Sequence, residues 1–516
     1  MPDTDGHVEA GSVKKNTENR DRSNDGFDSV EFDTPLPSEE TKETFSFRKL
    51  PSYQKITLVC LVSMEFCAAA SFSLLAPFFP AEANKKGVSD TIVGTIFGSF
   101  QLVIFLSSPI FGNYLSRIGP KFTFITGLMV CGTCSILFGT LYRSPDGVPF
   151  IVMCFLSRGV EALGAAAYIT ASYAIAAHEF PDHMATVFGI LETLNSLGFM
   201  VGPPLGGALY EVGGYGLPFF VVGSTVIVVA LVCIKVMPSQ SHDHQPRSNS
   251  SLVLMKSPLA LVTGFTIMCS ALGLCFLEPT LANHLSQFKL RTIVIGFIFL
   301  ISPGSYAVLA YFWGRIGEKW GHVNSMMLIG NILTAITYLF MGPSPLLLSF
   351  IPTKLWIITL SLFAMGTFAG CALIATFPAL LNGAKLAGLE DNFDTFGIVS
   401  GFFNSCYALG AFLGPTALGG VLADKYGFGW AATGCAVFFG ISGLLVALYC
   451  AIGSKCRTTV TGRPGYGSMD DGLGDSLTSS LRSQRDVWSA DHDVAHTLYD
   501  TLFGHSHTRE PSHAEK

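Results

Sequence analysis

Long apolar runs separated by short polar breaks dominate the chain between residues 51 and 453. Hydrophobic segments recur near 56–80, 91–115, 121–142, 149–177, 184–209 and 216–237, and again near 258–283, 291–313, 324–342, 355–381, 395–421 and 429–452. At about 1.5 Å per residue, each is long enough to cross a hydrocarbon core of about 30 Å as a helix. The pattern predicts an all-α membrane protein of twelve transmembrane helices, with one six-helix bundle over 51–237, a second over 256–453 and a cytosolic loop over 238–255. Residues 1–50 are rich in Asp, Glu, Ser, Lys and Asn and lack the apolar core of a signal peptide, so they predict a disordered cytosolic tail. Residues 454–516 predict another. Their histidines, His492, His496, His505, His507 and His513, are too loosely spaced for a metal site.

Composition agrees with a bilayer setting: 49% of residues are apolar and 13% charged, against about 25% charged in soluble domains. The net charge of −6 comes largely from the tails and gives no sign of a nucleic-acid partner. The thirteen cysteines fall almost entirely in apolar runs, where Cys packs as a small residue. Cys131 and Cys134 have no second pair or His cluster beside them, so no metal, cofactor or structural disulfide is expected. Basic residues concentrate in one set of short loops, among them Arg48, Lys49, Lys55, Arg117, Lys121, Lys235, Arg315 and Lys319. That side is predicted cytosolic, with both termini inside and the sequon at Asn249 unglycosylated. No constellation for bond-breaking chemistry is present, so no enzyme is expected.

Two stretches repeat at one offset. Leu74-Leu75-Ala76-Pro77 matches Phe276-Leu277-Glu278-Pro279, and Gly112-Asn-Tyr-Leu-Ser116-Arg117-Ile-Gly119 matches Gly314-Arg-Ile-Gly-Glu318-Lys319-Trp-Gly321, both 202 residues later. Gly198-x-x-x-Gly202-Pro203 likewise recurs as Gly410-x-x-x-Gly414-Pro415. Parallel halves of this kind are how rocking-bundle transporters are built, with cargo held near the midplane between them.

The chemistry-bearing residues are charges in apolar runs: Glu65, Arg158, Glu161, Glu192 and Glu278. Each costs about 2.5–3.5 kcal/mol at mid-bilayer unless it faces a polar cavity or a partner. Arg158 and Glu161, at i and i+3, either neutralise one another or serve proton coupling. Glu192 shares a face with Asn195 and suits either cation binding or a helix–helix hydrogen bond. Glu65 lies toward the cytosolic end of its segment. Glu278, before a proline and placed to meet the first helix, is the leading cation site; Tyr168, Tyr306 and Tyr407 are candidates for cation–π contacts. Gly198, Gly202, Gly206 and Gly207, bent by Pro203 and Pro204, read either as a surface on which helix five slides or as static close packing.

These motifs resemble the major facilitator superfamily over essentially all of residues 50–455. Gly112 to Gly119 is similar to the loop signature G-x-x-x-D-R-x-G with Ser116 in place of Asp, while Glu318 keeps the acid in the second copy. Arg158-Gly-Val-Glu161-Ala-Leu-Gly164 resembles the fourth-helix motif R-x-x-Q-G-x-G. The run from Gly198 to Gly207 resembles the antiporter motif, and the resemblance implies that helix five slides there against helix eight of the other half. The resemblance implies hinge and gate roles for Gly112, Arg117, Gly119, Gly198, Gly202, Pro203, Pro204, Gly206, Gly207, Gly314, Glu318, Gly410, Gly414 and Pro415. Within the superfamily, Leu277-Glu278-Pro279 and Pro77-Phe-Phe-Pro80 are similar to the vesicular amine transporter family, most of all its polyamine branch. The monoamine members' lysine–aspartate pair aligns with Phe100 and Asn404, and two further acids align with Leu373 and Ala68, so the charge pattern diverges.

The resemblance implies a monomeric antiporter that exchanges protons for an organic cation at Glu278, Glu192, Glu65, Asn195, Asn404, Tyr306 and Tyr407, with Arg158 and Glu161 in coupling. The membrane implied is that of an acidic vesicle. A plasma-membrane multidrug exporter of the same fold and a non-transporting scaffold or receptor remain alternatives.

Overall fold

The computed structural model describes residues 45–75, 77–238, 251–290, 292–342, 344–345 and 354–461. The expected tails at 1–44 and 462–516, with the tail histidines, lie outside the described residues, as does most of the central loop including Asn249. Twelve helices among the described residues are long and apolar enough to cross a membrane. They are α1 (Ser52–Ser73), α2 (Ile92–Ile118), α3 (Pro120–Arg143), α4 (Val148–Glu179), α5 (Pro181–Gly213), α6 (Gly216–Val236), α7 (Pro258–Glu278), α8 (Val294–Trp320), α9 (Val323–Met341), α10 (Leu355–Leu386), α11 (Phe393–Gly419) and α12 (Phe428–Ile452).

Local sequence explains most boundaries. Pro51, Pro120 and Pro258 stand at or just before helix starts, where a missing amide proton costs nothing. Asn392 caps α11 by accepting from the Thr395 amide at 3.0 Å. Gly119 (φ 98°) and its repeat counterpart Gly321 (φ 68°) both take a backbone conformation that favours glycine, which turns α2 into α3 and α8 into α9. Three boundaries differ from expectation. The first helix stops at Ser73 rather than near 80, because Pro77 lacks the amide proton a continuing helix needs, and the short helix Phe79–Lys85 follows. At the other end, the last helix continues to Thr461, into the expected tail. Phe45 is not loose tail either; it is buried in the shared core.

The repeat in sequence becomes a repeat in packing. In the first half α1 packs on α5 and α6, α3 on α4 and α6, and α2 on α4; in the second, α7 packs on α11 and α12, α9 on α10 and α12, and α8 on α10. The halves meet through α2 with α11, α5 with α8, and α4 with α11. Outward faces carry exposed apolar side chains such as Leu106, Ile110, Phe122, Leu156, Val308 and Leu444, as lipid contact requires.

The two ends of the molecule differ. At the end that carries the α2–α3 and α8–α9 turns, one hydrophobic cluster spans both halves, from Leu115 and Phe188 to Phe377 and Phe403. At the opposite end the packing divides into two clusters, one around Phe79, Phe138 and Phe219 in the first half, the other around Phe276, Tyr338 and Phe439 in the second. The first is the closed end, and the second, where the apolar packing divides between the halves, is the parted end.

At the parted end, Glu82 accepts from Lys85 at 2.6 Å and from the Tyr210 hydroxyl. Partial burial works against its charge. The hydrogen bonds from Lys85 and Tyr210 and the charges of Lys85 and Lys86 outweigh that and hold the carboxyl below its ordinary value.

Candidate transport site

Two buried carboxylates sit side by side in the first half. Glu65 of α1, 1% exposed, accepts from Ser172 of α4 at 2.9 Å and from Asn195 of α5 at 3.2 Å. Although sequence position suggested a place near the helix end, Glu65 is interior and held by two neighbouring helices. Three residues before Asn195, on the same face of α5, Glu192 accepts from Tyr173 of α4 at 2.8 Å and from Tyr306 of α8 at 2.9 Å. Tyr306 belongs to the other half. Each carboxylate thus keeps two donors, which offsets much of the cost of burying charge.

Glu278 differs from both. It is exposed, and among the described residues it has no hydrogen-bond or ion-pair partner. It lies near enough to half-buried Tyr407 of α11 for the two to interact electrostatically. Its side chain is exposed at the end where the apolar packing divides between the halves. Helix runs through Pro279 to Leu285 without a break.

Arg158 and Glu161 pair at 2.8 Å, both buried, entirely within the first half. The guanidinium lies over the Phe100 ring at 4.5 Å, Phe72 at 5.3 Å and Phe138 at 6.0 Å. Phe100 therefore serves as a π-face for a cation supplied by another helix. Asn404, expected at the substrate site, links the halves: its amide donates to Ser108 of α2 at 2.8 Å.

Below Glu192 the closed end begins with four rings, Tyr173, Phe188, Phe377 and Phe403, whose centroids lie 5.2–5.7 Å apart. Two come from each half. Further out, the repeated loop signature closes twice by related bonds. Ser116 donates to Asp394 at the start of α11, and Glu318 accepts from Thr186 and bonds His183 at the start of α5. Ser116 in place of an acid is thereby explained, since an aspartate there would face Asp394. Arg117 lies exposed over Tyr114.

The glycine series requires a correction. A Cβ on Gly198 would stand 2.4 Å from the carbonyl oxygen of Phe66, on Gly202 2.0 Å from Ser73 Oγ, and on Gly206 2.2 Å from the carbonyl oxygen of Leu74. All three glycines face α1 in their own half and not α8, and Gly207 meets nothing within 4 Å. Gly410 and Gly414 repeat the arrangement against Met268 and Leu272 of α7. Contact between α5 and α8 runs through Gly189 with Ala310 and Gly314 with Ala185, and contact between α2 and α11 through Gly112 with Gly397 and Gly401. Pro203 and Pro204 sit inside α5, which continues to Gly213; Pro415 sits in a π-helical run, Gly414–Leu422.

Twelve helices in two repeated halves, closed at one end around an interior of carboxylates and tyrosines, define a membrane transporter. The family model of the Major Facilitator Superfamily matches residues 61–285 and 259–499, and the chain belongs to that family. Among curated relatives, it is 41% identical to the mouse MFS-type transporter SLC18B1 over 415 residues, 80% of this chain and 89% of the relative. It is 25% identical to the human synaptic vesicular amine transporter over 375 residues, 72% of this chain and 68% of the relative. A crystal structure of the human organic anion transporter MFSD10 shares the fold at 16% identity, with a TM-score of 0.63 over 77% of this chain and all of the other.

Tyr173, Ser172 and the four-ring layer escaped sequence reading. Tyr173 had one available signal, a tyrosine in a run of alanines and serines on the helix of Arg158; the phenylalanines, among 42 in the chain, had none.

Proposed function

We propose that the protein exchanges protons for organic cations, with polyamines as the cargo class, across the membrane of an acidic organelle, acting as a monomer with both termini in the cytosol. The observation that carries this reading is Glu278, an exposed and unpaired acid facing the parted end, with Glu65 and Glu192 behind it. An ammonium group is the complement of an unpaired carboxylate. Several carboxylates along one interior suit a cation with several ammonium groups better than a monoamine. Burial disfavours an ionised acid and an arriving ammonium favours it, so a buried acid such as Glu192 holds either a proton or an amine. Mutual exclusion then couples the two flows. Each pH unit supplies about 1.36 kcal/mol per proton exchanged. The similarity to the synaptic vesicular amine transporter supports an amine cargo and a vesicle membrane.

The test is uptake of labelled spermidine into proteoliposomes driven by an imposed pH gradient. Uptake that Glu278→Gln abolishes is expected. Absence of uptake by intact protein, or uptake indifferent to that substitution, refutes the reading, and equal uptake of many unrelated lipophilic cations favours an exporter instead.

A further inference from the structure

Resting on that reading, we infer that Tyr306 is a coupling residue: its bond to Glu192 lets the second half read the charge on a first-half acid and keeps the closed end shut while that acid is ionised. Both oxygens of Glu192 are engaged, one by Tyr173 of its own half at 2.8 Å, the other by Tyr306 across the boundary at 2.9 Å. All three side chains are buried, and Tyr173 is also one of the four rings that seal the closed end. A carboxylate accepts at both oxygens, and charge-assisted bonds are roughly twice as strong as neutral ones. Protonation adds a donor to one oxygen and removes the charge from both bonds, so it loosens the bridge beside the seal.

An antiporter that has released its cargo must not return empty. With the bridge in place, the emptied carrier with an ionised Glu192 stays shut at the closed end, and arrival of a proton from the parted end permits return. The groups facing Glu192 are few: Tyr173 on α4, Tyr306 on α8, Tyr407 on α11, and Glu65 on α1 beyond Asn195. None is a cation that would hold the charge in place of a proton.

The experiment measures distances between spin labels at exposed Asp182 and Lys385, one on each half at the closed end, in full-length protein in nanodiscs without cargo. In otherwise unaltered protein, a separated population is expected to rise severalfold between about pH 7.5 and about pH 5.5, a range in which buried carboxyls titrate. Tyr306→Phe and Glu192→Gln are expected to show that population at both pH values, and Tyr311→Phe, on the same helix, to keep the pH response. A pH response retained by Tyr306→Phe, or lost equally in Tyr311→Phe, overturns the inference. Because no cargo is present, failure of polyamine uptake leaves this result standing, and failure here leaves the uptake reading standing.

Discussion

Gly112 of α2 and Gly397 of α11 lie backbone against backbone across the two halves: a Cβ on Gly112 would stand 2.5 Å from the Gly397 carbonyl oxygen, and one on Gly397 2.6 Å from that of Gly112. A methyl at either position forces the helices apart at the closed end. Gly112→Ala and Gly397→Ala are therefore expected to raise the labelling rate of a cysteine placed at Ser108, which is buried between these helices. Unchanged labelling would show that the contact does not set closure.

The antiporter-motif glycines predict a different phenotype. Gly202→Ala places a methyl against Ser73 Oγ and the Ala70 carbonyl in the same half. It is expected to lower stability by about 1–3 kcal/mol, as overpacking does, while the closed-end distances stay unchanged. Gly207→Ala, with open space around it, is expected to be neutral. Thermal unfolding of the two in detergent checks the contrast.

Removing one member of the Arg158–Glu161 pair leaves a buried charge uncompensated. Arg158→Ala is expected to cost about 3–5 kcal/mol, and Arg158→Met with Glu161→Gln appreciably less. Equal losses for single and double variants in a denaturation series would show that the pair is not the source.

Glu82 sets a pH dependence at the parted end. Its carboxyl is held below the ordinary value, so the folded protein gains stability above the unfolded value of 4.5 and loses it as pH falls through the depressed folded value. Glu82→Gln is expected to destabilise at neutral pH and at about pH 5.5, and the difference from the unaltered chain to close only below about pH 4, measured as melting temperature against pH.

Phe45 bridges the halves at the closed end. Its carbonyl accepts from Arg315 of α8 at 2.7 Å, and its ring meets His183 of α5 edge-on at 5.5 Å. Deleting residues 1–47 is expected to increase separation between Asp182 and Lys385 labels at neutral pH; no change would reduce the segment to passive packing.

Much of the fold was legible because lipid demands it: each span needs about twenty apolar residues, and two stretches repeated at one offset announce two halves. What escaped is relational. Small residues spaced four apart show that some backbone comes close but not whose, and Gly198 and Gly202 found α1 where α8 was expected. Burial was misjudged for the same reason. Glu65 and Glu278 are both glutamates in apolar runs, yet the first is held between three helices and the second is exposed. Asn404, expected among the cargo-binding residues, donates from its amide to Ser108.

The unequal ends also shape the electric field. On the proposed reading, with Glu278 open to one compartment, a membrane voltage falls across the closed layer rather than over the full 30 Å or so of hydrocarbon. Under the proposed exchange, each unit charge that crosses the four-ring layer meets nearly all of the roughly 2.3 kcal/mol per 100 mV, while a cation bound at Glu278 meets little. Voltage then acts on the turnover of the carrier and hardly at all on its affinity from the parted end.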